Sequence, residues 1–188
     1  MSIKTKILLV VDMQNDFITG ALGTKEAQDI VDLAAETIIN IADEDTFIVC
    51  TQDTHDNDYM SSQEGKFLPV PHCIRSTDGW AINSKIWSAV QTAQSKYGCT
   101  VEIIGKPSFG SVDLQNYLFT ANEFAGPIDE INILGVCTGI CVLSNAILCK
   151  ASVPETPINV IENCCACVTP ESHKRAIEAM KLCQINII

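Results

Sequence analysis

Short aliphatic and β-branched runs recur along the chain at Ile7–Val11, Phe47–Thr51, Val101–Ile104, Ile128–Leu134, Ile158–Ile161 and Ile185–Ile188. Such runs fit strands covered on both faces of a parallel sheet better than strands with one wet face. Between them, apolar residues at helical spacing predict helices over Glu26–Ile41, Ile82–Lys96, Val112–Ala121, Cys141–Ala151 and Pro170–Cys183. Thr169 and Pro170 form an N-cap and first-position pair for the last of these. The alternation predicts an α/β fold, a three-layer α-β-α sandwich around a mostly parallel, doubly wound, Rossmann-like sheet. No repeat, low-complexity tract or linker interrupts residues 1–188, so a single domain is expected. The longest stretch without clear period runs from Asp53 to Gly79, and long loops in small domains tend to carry function.

The chain holds 12 Lys and Arg against 23 Asp and Glu, a formal charge of -11. That balance argues against a nucleic-acid or membrane-surface partner and favours a small-molecule substrate. No apolar run approaches the ~20 residues of a membrane span. Met1–Lys6 leads directly into a strand-like run instead of a secretory core, so a cytoplasmic location is expected. In that compartment the ten cysteines are expected as reduced thiols, not as a disulfide framework. Homo-oligomerisation is left open.

In a doubly wound sheet, ligands bind beyond the carboxyl ends of the strands. Reactive residue types fall there: Asp12 after the first run, Asp53 and His55 after the second, Lys106 after the third and Cys141 beyond the fourth. The segment Ile131-Asn-Ile-Leu-Gly-Val-Cys-Thr-Gly-Ile-Cys141 reads as a buried strand turning into a helix. That places the thiol at a helix N-terminus, where free N–H groups favour a thiolate and could bind an oxyanion. Asp12, Lys106 and Cys141 together supply a base, a cation and a nucleophile. Asp53-x-His55, with Glu64 and His72 further along the loop, offers a mixed N/O donor set suited to Zn²⁺, Fe²⁺ or Mn²⁺. His173, in the first turn of a helix, reads as a solvated or capping residue. Cys164, Cys165 and Cys167 could hold a soft metal or act as a redox sensor, although buried small residues fit the pattern better.

Taken together these residues resemble the isochorismatase-like cysteine hydrolases, and within them the nicotinamidase/pyrazinamidase branch. The resemblance spans nearly the whole chain and rests on Val11-Asp-Met-Gln-Asn-Asp-Phe17, Lys106, Gly135-Val-Cys-Thr-Gly-Ile-Cys-Val142 and His72-Cys-Ile-Arg-Ser-Thr-Asp-Gly79. It implies a catalytic triad of Asp12, Lys106 and Cys141, and one divalent metal, zinc before iron or manganese, on Asp53, His55 and His72 with Glu64 as an added carboxylate. It further implies an oxyanion hole from the backbone N–H groups of Cys137 and Cys141, a cis peptide at Val136–Cys137, and ring packing by Phe17 and Phe67. The implied reaction is hydrolysis of nicotinamide to nicotinate and ammonia, a step of NAD salvage. The chain departs from the family pattern at Gly139, where Asp is usual, and in lacking a Trp close to the last metal histidine. Open alternatives are hydrolysis of another small amide or carbamoyl compound, and a catalytically silent interaction domain.

Overall fold

The computed structural model describes residues 5–188. The first strand, β1 (Lys6–Val11), is buried along almost its full length, as its unbroken apolar run requires. It is followed by a short helix α1 (Asn15–Ile18), a long helix α2 (Lys25–Ile41) and strand β2 (Thr46–Asp53). The loop beyond β2 carries a short helix α3 (Gln63–Phe67) and leads to α4 (Ser84–Tyr97). Then come β3 (Thr100–Lys106), α5 (Val112–Phe124), β4 (Glu130–Val136), α6 (Leu143–Ser152), β5 (Ile158–Ala166), α7 (Pro170–Leu182) and β6 (Asn186–Ile187).

The strands form one six-stranded sheet in the order β3-β2-β1-β4-β5-β6, with every pairing parallel. This is the doubly wound α/β arrangement expected from the alternation of elements. The chain winds outward from β1 to β3, then crosses back to lay β4 on the other side of β1. The crevice beyond the adjacent ends of β1 and β4 is therefore the switch point at which ligands bind in such sheets.

Alternate residues of β1 serve opposite layers. Ile7, Leu9 and Val11 pack with Leu114 and Leu118 of α5, Ala146 of α6 and Ile177 of α7. Leu8 and Val10 pack with Val31 and Ile38 of α2 and with Ile86 and Val90 of α4. Both helix sets show the three-to-four-residue spacing of an apolar stripe facing a sheet.

Several boundaries differ from the sequence expectation, and three of these bear on the site. Strand β3 runs on to Lys106, because Gly105 and Lys106 stay in register with Gln52 and Asp53 of β2. Helix α4 begins at Ser84, since Ile82 bridges to Gln14 and Asn83 caps the helix through its side chain. The helix expected from Cys141 is preceded by a π-helical turn over Thr138–Val142, so α6 starts only at Leu143. The segment Met1–Lys4, read with the N-terminal approach to β1, lies outside the described residues.

Close approach of β1 and β4 depends on Gly135. Its φ is 128°, and a Cβ there would lie 2.1 Å from the Val11 carbonyl oxygen. Gly135→Ala is predicted to lose about 1–3 kcal/mol through backbone conformation alone, with the overlap adding to this. Urea unfolding should show the loss, and a wild-type midpoint would contradict the packing described.

Candidate active site

At the end of β1 the chain turns through Asp12, which has a φ of 48°, a left-handed conformation that Asp tolerates better than most residues. Its N–H donates to the Thr51 carbonyl and hydroxyl, both at 3.2 Å. The same hydroxyl donates to Asp12 Oδ1 at 2.7 Å. One β2 side chain thus fixes both the backbone and the carboxylate of Asp12. Lys106 reaches the second oxygen, with Nζ 2.6 Å from Asp12 Oδ2. That approach is off the axis of a good hydrogen bond, and Oδ2 has no well-directed donor.

Lys106 is 1% exposed. Its ammonium also donates to the Ser108 carbonyl at 2.9 Å, and it lies 3.4 Å from Asp53 Oδ1 and 3.6 Å from Cys141 Sγ. The structure therefore brings Asp12, Lys106 and Cys141 together. Burial opposes the lysine's charge, but Asp12, Cys141 and Asp53 outweigh it and hold the group above its ordinary value. For Asp12, burial and then the Asp53 charge push the carboxyl up, while Lys106 pulls it down.

Burial also drives the Cys141 thiol well above its ordinary value, and the neighbouring Asp12 charge adds to this against the pull of Lys106. The surroundings thus disfavour the thiolate. This differs from the thiolate expected at a helix N-terminus, because Cys141 lies inside the π-helical turn, with its sulfur against a carboxylate. In that turn the N–H groups of Ile140 and Val142 both donate to the Cys137 carbonyl, and the intervening N–H of Cys141 does not. The peptide Val136–Cys137 is cis, as the resemblance implied. Asn145, which the sequence reading missed, donates to the Cys141 carbonyl at 2.9 Å and accepts from the Ser111 N–H at 3.0 Å. Its position four residues after the cysteine was the available signal.

Asp53, His55, Glu64 and His72 converge, with one donor atom from each within 4.8 Å of all the others. His55 Nε2 and His72 Nε2 lie 3.0 and 3.4 Å from Asp53 Oδ2, and each is 3.7 Å from Glu64 Oε1. His72 Nδ1 is 2.8 Å from the Val70 carbonyl, which fixes Nε2 as the inward nitrogen in the manner of a metal-bound imidazole. Two imidazole nitrogens and two carboxylates around one point fit a borderline divalent cation. Gln14 locks the end of β2 beneath this group, donating to the Asp53 carbonyl at 2.8 Å and accepting from the Asp53 N–H at 2.7 Å. Cys164 and Cys165 belong to opposite faces of the sheet, so they cannot share one soft metal. Burial pushes Cys165 up to about 12, which makes it a poor sensor thiol.

A cavity of about 300 Å³ joins the two groups and is lined by Cys141 and Cys137, by Asp53, Glu64 and His72, and by Phe17. Phe17 meets the His72 ring edge-on at 5.6 Å. Phe67 is not part of this cavity: it is 83% exposed and stands at an outer chamber of about 600 Å³. As the last residue of the short α3, it is carried outward. Phe109 and Ile140 line both spaces instead. Sequence reasoning missed them because an apolar residue in a loop or a single short turn carries no periodic signal.

Fold and site together define a hydrolase of the α/β class. A sequence model describing the isochorismatase domain matches residues 6–188, and the chain belongs to that family. Among known proteins it is similar to the nicotinamidase of Saccharomyces cerevisiae, at 26% identity over 97% of this chain and 99% of that protein. It is similar in structure to the pyrazinamidase/nicotinamidase of Streptococcus mutans UA159, with a TM-score of 0.83 and 26% identity, covering 98% of this chain and all of that one. The pyrazinamidase of Pyrococcus horikoshii, solved in complex with zinc, shares the fold with a TM-score of 0.74 at 24% identity, over 97% and 98% of the two chains. Among the described residues, no helix is long and apolar enough to cross a membrane.

Replacing Lys106 tests the electrostatics. Lys106→Met leaves the Asp12 carboxylate buried without its cation, and breaking such a pair costs about 3–5 kcal/mol. Asp12, already pushed up by burial, then rises further above its unfolded value of about 3.9. The native state binds the proton that the unfolded state releases, so stability is lost as pH rises through the folded value. Urea unfolding should show a larger deficit relative to wild type at pH 8 than at pH 5, and equal deficits would contradict the account.

Proposed function

We propose that residues 1–188 form a single catalytic domain acting as a metal-dependent nicotinamidase, which converts nicotinamide and water to nicotinate and ammonia. The observation that carries this reading is that Cys141, flanked by Asp12 and Lys106, lines the same cavity as Asp53, Glu64 and His72 of the four-donor group. A ring of nicotinamide's size bridges the two, with its amide at the sulfur and its ring nitrogen at the donors. The family membership and the nicotinamidase and pyrazinamidase relatives support the same class of substrate.

In this mechanism Asp12 takes the proton of the Cys141 thiol, and the sulfur attacks the carboxamide carbon. The amide oxygen becomes an oxyanion facing the backbone N–H groups of Cys137 and Cys141, an interaction whose loss typically costs ~10²–10³ in rate. The Asp12 carboxyl gives its proton to the departing nitrogen, the C–N bond breaks, and ammonia leaves a thioester on Cys141. Asp12 then accepts a proton from water as its oxygen attacks the thioester carbon. The C–S bond breaks, and the proton returns from Asp12 to the sulfur. Lys106 opposes protonation of Asp12 in the resting state and offsets the charge that forms on sulfur.

Asp53, His55, Glu64 and His72 would hold one divalent ion, with zinc the best match to the donor set and iron or manganese compatible. When bound, the ion supplies a Lewis-acidic anchor for the pyridine nitrogen. Phe17 packs against the ring, and such positioning is worth several kcal/mol when it aligns the reacting atoms. In the cell this reading places the enzyme in the cytoplasm, in NAD salvage. The wider outer chamber favours one second reading, a larger amide or carbamoyl substrate handled by the same thiol.

Ammonia release from nicotinamide tests the proposal. Cys141→Ala should lower it by roughly 10⁴-fold or more, with the fold retained by circular dichroism. His72→Ala should bind less than one equivalent of metal by elemental analysis and raise KM. No release by metal-loaded wild type, together with release from a larger amide, would move the assignment to the second reading.

A further inference from the structure

His173 is neither a free surface residue nor a cap. Its Nδ1 lies 2.9 Å from Oγ1 of Thr138, the fully buried residue that heads the π-helical turn. On the far side of the ring, Nε2 is 3.7 Å from Glu162 Oε1 on β5. That distance is too long for a hydrogen bond, but the carboxylate favours the tautomer with its proton on Nε2. Nδ1 is then left to accept from the Thr138 hydroxyl. The imidazole is carried on a fixed element, since α7 is closed at its start by a capping box between Thr169 and Ser172.

The turn that bears Cys141 has few other side-chain anchors. Gly139 contributes none, and it lies against the β5 exit and α7: a Cβ there would sit 3.3 Å from Cys167 Sγ and 3.5 Å from Ala176 Cβ. The Thr138 carbonyl accepts the Leu143 N–H, the bond that joins the turn to α6. Thr138 is thus held at its carbonyl by α6 and at its hydroxyl by His173 of α7. Rotation of this short turn would redirect the Cys141 sulfur away from Asp12 and the Cys137 and Cys141 N–H groups away from the cavity.

We propose that His173 is a positioning residue: through Thr138 it sets the orientation of the nucleophile turn, and with it the alignment of Cys141 with Asp12. This rests on the reading of Cys141 as the nucleophile. His173→Phe keeps the ring's bulk and removes Nδ1, whereas His173→Asn returns an acceptor close to the position of Nδ1. Two readouts are needed: steady-state hydrolysis of nicotinamide, and the rate of Cys141 alkylation by iodoacetamide, followed on the Cys141 peptide by mass spectrometry.

His173→Phe should lower kcat about 10- to 100-fold, with KM and bound metal unchanged, and should slow the alkylation of Cys141. His173→Asn should recover most of both rates. Wild-type kcat and alkylation in His173→Phe, or equal losses in the Phe and Asn variants, would overturn the proposal. Thr138→Val, which removes the same hydrogen bond from the other side, carries the test where His173→Phe does not fold. Alkylation needs no substrate, so it still reads the turn when nicotinamide is not hydrolysed. Conversely, a Cys141→Ala variant of normal activity would remove the nucleophile reading without altering the alkylation result for wild type.

Discussion

A lysine ammonium sealed from water is tolerable only where anions surround it, and Lys106 sets that condition for the whole carboxyl edge of the sheet. It draws Asp12 to 2.6 Å and Asp53 to 3.4 Å, and takes the Ser108 carbonyl as well. The ammonium thereby opposes the rise that burial imposes on the Asp12 carboxyl beside the Cys141 thiol. Asp53 is divided between two tasks, with Oδ1 turned to the ammonium and Oδ2 to the imidazoles of His55 and His72. One carboxylate therefore joins the nucleophile group to the four-donor group.

The sheet order makes this meeting unavoidable. Asp12 and Cys141 flank the switch point because β1 and β4 are neighbours, and Asp53 and Lys106 are level because β2 and β3 are paired in register to their last residues. Each side chain comes from a different strand end, so its position is fixed by backbone pairing before any side chain is placed. The supporting residues add a second layer of fixation: Thr51 under Asp12, Gln14 under Asp53, and Asn145 and Thr138 behind Cys141. Sites held in this way keep their geometry to a fraction of an ångström, which proximity effects require.

Residue pattern was sufficient for the class of fold and for placing Asp12, Asp53, His55, Lys106 and Cys141 at one edge of the sheet, because polar groups beyond apolar strands stand out against their surroundings, whereas Glu64 and His72, on the loop beyond β2, were assigned through the family resemblance. It was insufficient for strand order, since a buried strand reads the same next to any partner. Cys141 was legible as a residue at a turn, but not as part of a π-helical turn, whose single extra residue leaves no mark in composition. Phe67 and Phe109 show the limit most plainly. Both are phenylalanines in polar segments beyond strand ends, and only the path of the chain decides that Phe109 lines the inner cavity while Phe67 faces outward. His173 looked like a surface residue because its partner, Thr138, is 35 positions away.

The central claim is covalent: the acyl group of the substrate passes through the Cys141 sulfur while Asp12 handles the protons. Acid quenching of the metal-loaded protein during turnover of excess nicotinamide, followed by peptide mass spectrometry, tests it most directly. The account predicts a nicotinoyl group on the peptide containing Cys141 and on no other thiol. Sustained ammonia release with Cys141 unmodified at every quench time, or acylation of a different cysteine, would contradict it.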